Sequence, residues 1–224
     1  MDFNDILKDF ETTSRSRLRS DDTLRTEDLQ ALTQAWIQER TIPEVLPYEE
    51  DLLERILERM RKQIEFIELN SIELQKHERE IKLLLVIVES ELDRVQFLIR
   101  SYVRTRLMKI DQFSVYIRSN EQELKKLSDN ETVYMERHLD LLMELYNRQF
   151  LKNLPESLQA LDEGGGLVNM VEKPDLHKPV FVKCGENGMV MIEGEEVELE
   201  KEGIYVMRYS AVKELVKMGS MIVL

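Results

Sequence analysis

Along the first two-thirds of the chain, apolar side chains recur in steps of three and four, the rhythm of helices that bury one stripe. A helix is predicted to start after Thr26, to carry Leu29, Leu32, Trp36 and Ile37, and to stop before Pro43, which cannot continue it. A second starts near Tyr48, with Leu53, Leu57, Met60, Ile64 and Ile67 as its narrow seam. The third carries the longest uninterrupted seam: Ile81, Leu85, Val88, Leu92, Val95, Ile99 and Tyr102. If it runs to Lys109 it is about 29 residues and on the order of 44 Å long, so something long must lie against it. At Arg106 and Lys109 the seam turns basic, and its far end should meet carboxylates or water. A fourth helix, near residues 131–151, offers Met135, Leu139, Leu142 and Tyr146.

The character of the chain changes after Leu154-Pro155. Asp162-Glu163-Gly164-Gly165-Gly166 is the best linker candidate, and short β-prone runs follow: Leu167–Val171, Val180–Lys183, Met189–Ile192, Val197–Leu199, Ile204–Arg208 and Met221–Leu224. Asn187-Gly188 is a tight-turn signal between the second and third runs. Ser210 to Met218 reads as a short helix with Ser210 as N-cap and Gly219 just past its end. The expected fold is therefore mainly α with a small β-rich C-terminal domain: a tail over 1–23, a helical domain over 24–153, a linker over 154–166 and the β-rich domain over 167–224. At about 58 residues the last buries only roughly 60 % of its unfolded surface, and it should lean on something else.

The tail is itself patterned. Phe3, Ile6, Leu7 and Phe10 share one helical face; Asp2 suits the cap and Asp5 the positive end of the dipole. A ten-residue helix does not persist alone in water. On the polar tether of residues 12–23 it has the form of a recognition peptide for a partner's groove, and a helix folded back on its own domain is the other reading.

A net charge of −13 narrows the function, since it repels nucleic acid and anionic membranes and makes direct DNA binding a poor candidate for the main role. The single cysteine, Cys184, excludes an intrachain disulfide and any CxxC motif, and fits a reducing, intracellular setting. No secretory signal opens the chain, and the longest apolar run, Leu83 to Val88, is far short of the roughly 20 residues of a membrane span.

Catalytic chemistry has no visible carrier. GxSxG, Walker and HExxH patterns are all absent, and Gly164 to Gly166 lacks the spacing of a dinucleotide loop. His77, His138 and His177 sit in different segments with no ligand-spaced partner. Glu89 and Asp93 share a helical face that reads as solvated or salt-bridged. No enzyme activity, cofactor or metal is expected. Trp36 reads as core and Arg100, Arg104, Arg106 and Lys109 as a basic flank neutralising nearby acids; a DNA-tracking stripe would need more aromatic interleaving than Tyr102 supplies.

The stretch from Ile99 to Phe113, Ile-Arg-Ser-Tyr-Val-Arg-Thr-Arg-Leu-Met-Lys-Ile-Asp-Gln-Phe, resembles the signature of the Sld-five family of GINS subunits. Agreeing stretches are Trp36-Ile37-Gln38-Glu39-Arg40 with Pro43-Glu44-Val45-Leu46-Pro47, Leu154 to Gln159, Lys173-Pro174-Asp175 ahead of Val180-Phe181, and Ile204 to Tyr209 with the closing Ile222-Val223-Leu224. The resemblance implies a helical domain followed by a small β-rich one, assembled in the nucleus into a tetramer with the Psf-one, Psf-two and Psf-three subunits. In that family GINS joins the MCM ring and Cdc-forty-five in the replicative helicase, so contact with DNA would be indirect. It marks Trp36, Tyr102, Arg104, Arg106, Leu107, Lys109, Ile110, Phe113, Arg208 and Tyr209 as signature or subunit-packing residues. Asn4 to Phe10 also resembles the fungal peptide that docks on the trimeric Ctf-four adaptor, carried here by Asp2, Phe3, Asp5, Ile6, Leu7 and Phe10. The rival architecture is a homo-oligomeric coiled-coil tether, in which the same heptads pair with themselves.

Overall fold

The computed structural model describes residues 24–74, 79–155, 171–192 and 195–224. The tail peptide, His77 and most of the expected linker lie outside them. The chain divides into two compact units, one of residues 1–35 and 51–99, the other of residues 36–50 and 100–224.

In the first unit, α1 (24–41) begins, ahead of the expected start after Thr26, and α2 (Glu50–Leu74) and the first half of α3 (Arg79–Ser119) follow. Asp28 on α1 accepts hydrogen bonds from Arg55 and Arg59, one turn apart on α2. The Arg55 hydrogen bond, with that of Arg59, holds the Asp28 carboxyl below its ordinary value against the cost of burial. The buried side of α2 consists of Leu52, Leu53, Ile56 and Met60. Leu57 and Ile64, expected in the seam, are exposed: Leu57 lies at the margin of a stripe that Ile56 centres. On α3 the expected seam is half-buried from Leu85 to Val95 and buried at Ile99. A second stripe, Leu83, Val86, Ile87 and Phe97, stands exposed on the same helix.

At 41 residues α3 exceeds the expected length. Its backbone leaves helical geometry at Phe113 (φ −106°, ψ 17°), which divides it into two helical pieces. In the second unit α4 (Glu121–Leu124) and α5 (Asp129–Gln149) follow, and a single 3-10 turn, Leu151–Asn153, ends the helical part. Ser128 caps α5 and Glu131 completes a capping box, fixing a start two residues earlier than expected. Ile110, Phe113, Ile117, Met135 and Leu139 pack together with Val45.

The β-rich part contains β1 (Pro179–Cys184), β2 (Gly188–Ile192), β3 (Glu195–Leu199), β4 (Ile204–Arg208), α6 (Tyr209–Lys217) and β5 (Met221–Val223). β1 lies between β4 and β5, antiparallel to both, while β2 and β3 form a separate hairpin. Asn187-Gly188 therefore joins two sheets instead of turning one hairpin; the Asn187 side chain accepts the backbone N–H of Lys201 beside the β3–β4 turn. The N-cap of α6 is Arg208, not Ser210, because β4 runs directly into the helix. Gly219 takes the left-handed conformation (φ 77°) just beyond the end of α6, as expected. Of the first β-prone run, only Val171 is described, and it is not in a strand.

The core of this domain is Val180, Val182, Cys184, Val190, Leu199, Met207, Val212, Met221 and Val223, and it includes Ile42 from the α1–α2 connector. The small domain leans on the chain's own early residues, which supply a buried side chain it lacks. Burial pushes the Cys184 thiol up from its ordinary value.

Candidate interaction surface

Beneath the surface of the second unit lies a knot of charges. Arg106 points from the α3 seam into the interior, where a guanidinium is tolerated only when its donors are matched. All five are. Nε and Nη2 grip the two oxygens of Glu131 (2.7 and 2.9 Å), Nη1 donates to Glu39 Oε2 (3.0 Å) and the Leu46 carbonyl (2.7 Å), and Nη2 also donates to the Lys126 carbonyl (3.2 Å). The rings of Tyr48 and Tyr102 lie 5.3 and 5.7 Å from the guanidinium carbon. Burial alone would lower the Arg106 pKa; the Glu131 hydrogen bonds and the Glu39 charge reverse the sign and raise it. Burial pushes the Tyr102 phenol up to about 12.

One turn later Lys109 donates to Glu39 Oε1 and to the Glu44 carbonyl, both at 2.8 Å. Glu44 then carries the network into the β-rich part: its carboxylate accepts from Lys126 (3.0 Å), Lys213 (2.8 Å) and the Tyr209 hydroxyl (2.6 Å). Burial would raise the Glu44 pKa, but hydrogen bonds from Lys213, Tyr209 and Lys126 outweigh it and hold the carboxyl below its ordinary value. Tyr209 is shifted upward by burial and by the same carboxylate. With Glu123 bonded to Lys126, four acids face four bases, so the knot adds no net charge. Its chemistry is structural: every charge is matched and held in place.

The basic end of the α3 seam thus meets carboxylates, as its sequence position implied. Tyr102, Arg106, Ile110, Phe113 and Tyr209 are buried; Leu107 packs against the helical core, and Lys109 is nearly enclosed. Trp36 is half-buried, its indole N–H donating to the Ser101 hydroxyl (2.9 Å) with Arg40 over the ring. Arg104 and Arg208 are exposed and do not join the knot. Glu39, Glu44 and Glu131 are the acids that organise it, and none of them is among the residues singled out by the sequence. Two signals existed: Glu39 continues the α1 seam after Leu32 and Trp36, and Ser128-x-x-Glu131 is a capping-box pattern. Glu131 serves both, capping the Ser128 N–H and holding Arg106.

Among the described residues of this unit, two exposed apolar sets stand out on α5 and on the three-stranded sheet. On α5, Val133, Leu141 and Leu145 form an exposed stripe separate from the buried Met135 and Leu139. On the three-stranded sheet the inner face is core, whereas Phe181, Ile204, Val206, Ile222 and Leu224 stand exposed on the outer face, with Phe181 directly opposite Val206. Single exposed apolar residues are ordinary; contiguous sets mark interaction sites. Among the described residues no helix is long and apolar enough to cross a membrane, and no group of three or more His, Cys, Asp or Glu could hold a metal ion.

Comparison with known proteins agrees with this architecture. A family profile described as "GINS complex protein helical bundle domain" matches residues 47–150, and one described as "DNA replication complex GINS protein SLD5 C-terminus" matches residues 174–224. The protein called DNA replication complex GINS protein SLD5 in Yarrowia lipolytica is 39 % identical over 197 residues, covering 87 % of this chain and 75 % of its own length. The protein of that name from Debaryomyces hansenii is 34 % identical over 249 residues, covering 100 % and 98 %. That from Saccharomyces cerevisiae is 36 % identical over 230 residues, covering 85 % and 78 %. The chain belongs to the SLD5 family of GINS proteins.

Proposed function

We propose that this protein is a non-catalytic subunit of a GINS heterotetramer, held by Psf-one, Psf-two and Psf-three type sisters, that works in the nucleus as part of the MCM and Cdc-forty-five replicative helicase in initiation and elongation. The observation that carries the assembly reading is the exposed apolar surface, the α5 stripe and the outer sheet face, on a frame whose interior charges are fully matched. A charge-matched frame with uncovered greasy faces calls for neighbours. The same reading retains the division into tail, helical domain, linker and β-rich domain at 1–23, 24–153, 154–166 and 167–224.

Co-expression tests it. Alone, the chain self-associates or is poorly soluble; with three sister subunits it elutes as a single stoichiometric complex. Leu141→Asp and Phe181→Asp leave the fold intact and weaken that assembly. A well-behaved monomer by light scattering, or a homo-oligomer that ignores the sisters, counts against it, the second favouring a coiled-coil tether.

For the tail we infer an adaptor link of the Ctf-four type through Asp2, Phe3, Asp5, Ile6, Leu7 and Phe10. Ile6→Asp with Leu7→Asp abolishes adaptor binding and spares the tetramer. Loss of the tetramer would place the peptide within the fold instead.

A further inference from the structure

Charge equal to nearly half of the chain's net value is concentrated in residues 185–200, the hairpin and its immediate flanks. From Gly185 to Glu200 there are six glutamates and no lysine or arginine, against −13 for the whole chain. The hairpin is fastened by its inner face, where Val190 and Leu199 belong to the core of the β-rich part. Its outer face is different. Met189 and Met191, two residues apart on β2, share that face, and each stands opposite a glutamate of β3 in register: Met189 opposite Glu198, Met191 opposite Glu196. The methionines are 70 % and 62 % exposed. Glu186, Glu196, Glu198 and Glu200 are exposed as well, and none takes part in an ion pair among the described residues.

We propose that the outward face of the β2–β3 hairpin is a docking site for a lysine- and arginine-rich segment of a partner protein that carries apolar side chains on one side. Charge selects the occupant. The hairpin repels nucleic acid, an anionic membrane and a second copy of itself, and it draws in basic chains. Methionine selects the apolar half: an unbranched, polarisable side chain with three rotatable bonds fits irregular hydrophobic shapes that a branched residue would reject. Uncompensated glutamates around exposed thioethers thus describe a surface that reads basic amphipathic sequence by composition and spacing. The site is separate from the α5 stripe and from the outer face of the three-stranded sheet, and it does not depend on which proteins cover those.

The test uses the full-length chain as purified with its co-expressed partners. The probe is a synthetic amphipathic peptide bearing lysines, arginines and leucines, with an equally charged analogue in which serine replaces each leucine, both followed by fluorescence anisotropy. The wild type is expected to bind the leucine peptide at least about tenfold more tightly than its serine analogue. Met189→Ser with Met191→Ser should weaken binding at least about tenfold, and Glu196→Lys with Glu198→Lys should do the same and flatten its salt dependence. Equal affinity for both peptides, wild-type affinity in either variant, or no binding at all would overturn the proposal. So would loss of the co-purifying partners from either variant, since the hairpin would then be an assembly contact. Self-association abolished by the methionine pair would instead assign the face to a second copy.

Discussion

The phenol of Tyr209 donates a 2.6 Å hydrogen bond to the carboxylate of Glu44, a residue 165 positions earlier in the chain. The contact is buried, and it lies next to Ile42, which completes the core of the β-rich domain. The connector around residues 42–46 therefore fastens the C-terminal part to the end of the helical core. Both family profiles stop short of it: one starts at residue 47, the other at 174.

Tyr209→Phe should cost about 1.5–3 kcal/mol, the worth of a hydrogen bond to a charged group. Glu44→Ala costs more, about 3–5 kcal/mol, because Lys126 and Lys213 lose their shared counter-ion. Urea unfolding of the two single variants and the double should give strongly non-additive losses, since Tyr209 has nothing to bond once the carboxylate is gone.

Arg106→Lys should be as damaging as a deletion. An ammonium has three donors on a point charge and cannot match a guanidinium whose five N–H groups are all engaged by Glu131, Glu39 and two carbonyls. The expected loss is about 3–5 kcal/mol, read as a lowered unfolding midpoint or as failure to accumulate soluble protein.

Acid should weaken the same junction. The folded pKa of Glu44 lies below its ordinary value of 4.5, so its linked stability is fully present above that value and is lost as pH falls through the folded pKa. Glu44→Gln removes this contribution at every pH. The stability difference between wild type and variant should hold constant above about pH 5.5 and close progressively in acid, which denaturant titrations at several pH values would resolve.

Gly203 and Gly188 should respond oppositely to alanine. A Cβ at Gly203 would lie 2.6 Å from a Tyr205 ring carbon and 2.9 Å from the Glu200 carbonyl oxygen; at Gly188 nothing stands within 4 Å. Gly203→Ala should cost about 1–3 kcal/mol as the Tyr205 ring is forced aside, whereas Gly188→Ala should stay within about 0.5 kcal/mol. Thermal melts of the pair would show the contrast.

What the sequence reveals depends on distance. The α5 seam and the turn to basic character at Arg106 are periodic and local, and both are legible from spacing alone. That Ile42 would sit in a strand domain is not legible, because no local pattern reports which distant core a connector residue joins. Phe113 gave no warning of the break in α3, since phenylalanine is no helix breaker and the seam carries on through Ile117. At Asn187-Gly188 the expected tight turn does not form: the chain bends at Gly185 and Glu186 and Gly188 already opens β2, because this linkage runs between two sheets and the Asn187 side chain is engaged by the Lys201 N–H. The exposed outer sheet face is hidden for a related reason: Phe181, Ile204 and Val206 are as apolar as the inward residues beside them, so alternation only partly separates inside from outside.

Cys184 is the only thiol in the chain, and it is sealed in the β-rich core with its reactivity suppressed. Any cysteine engineered onto the exterior would be the one sulfur that a maleimide reaches, with no need to remove the native one first. A dye or spin label placed at position 141, 181 or 189 could then follow the occupation of each face independently within the otherwise unaltered molecule.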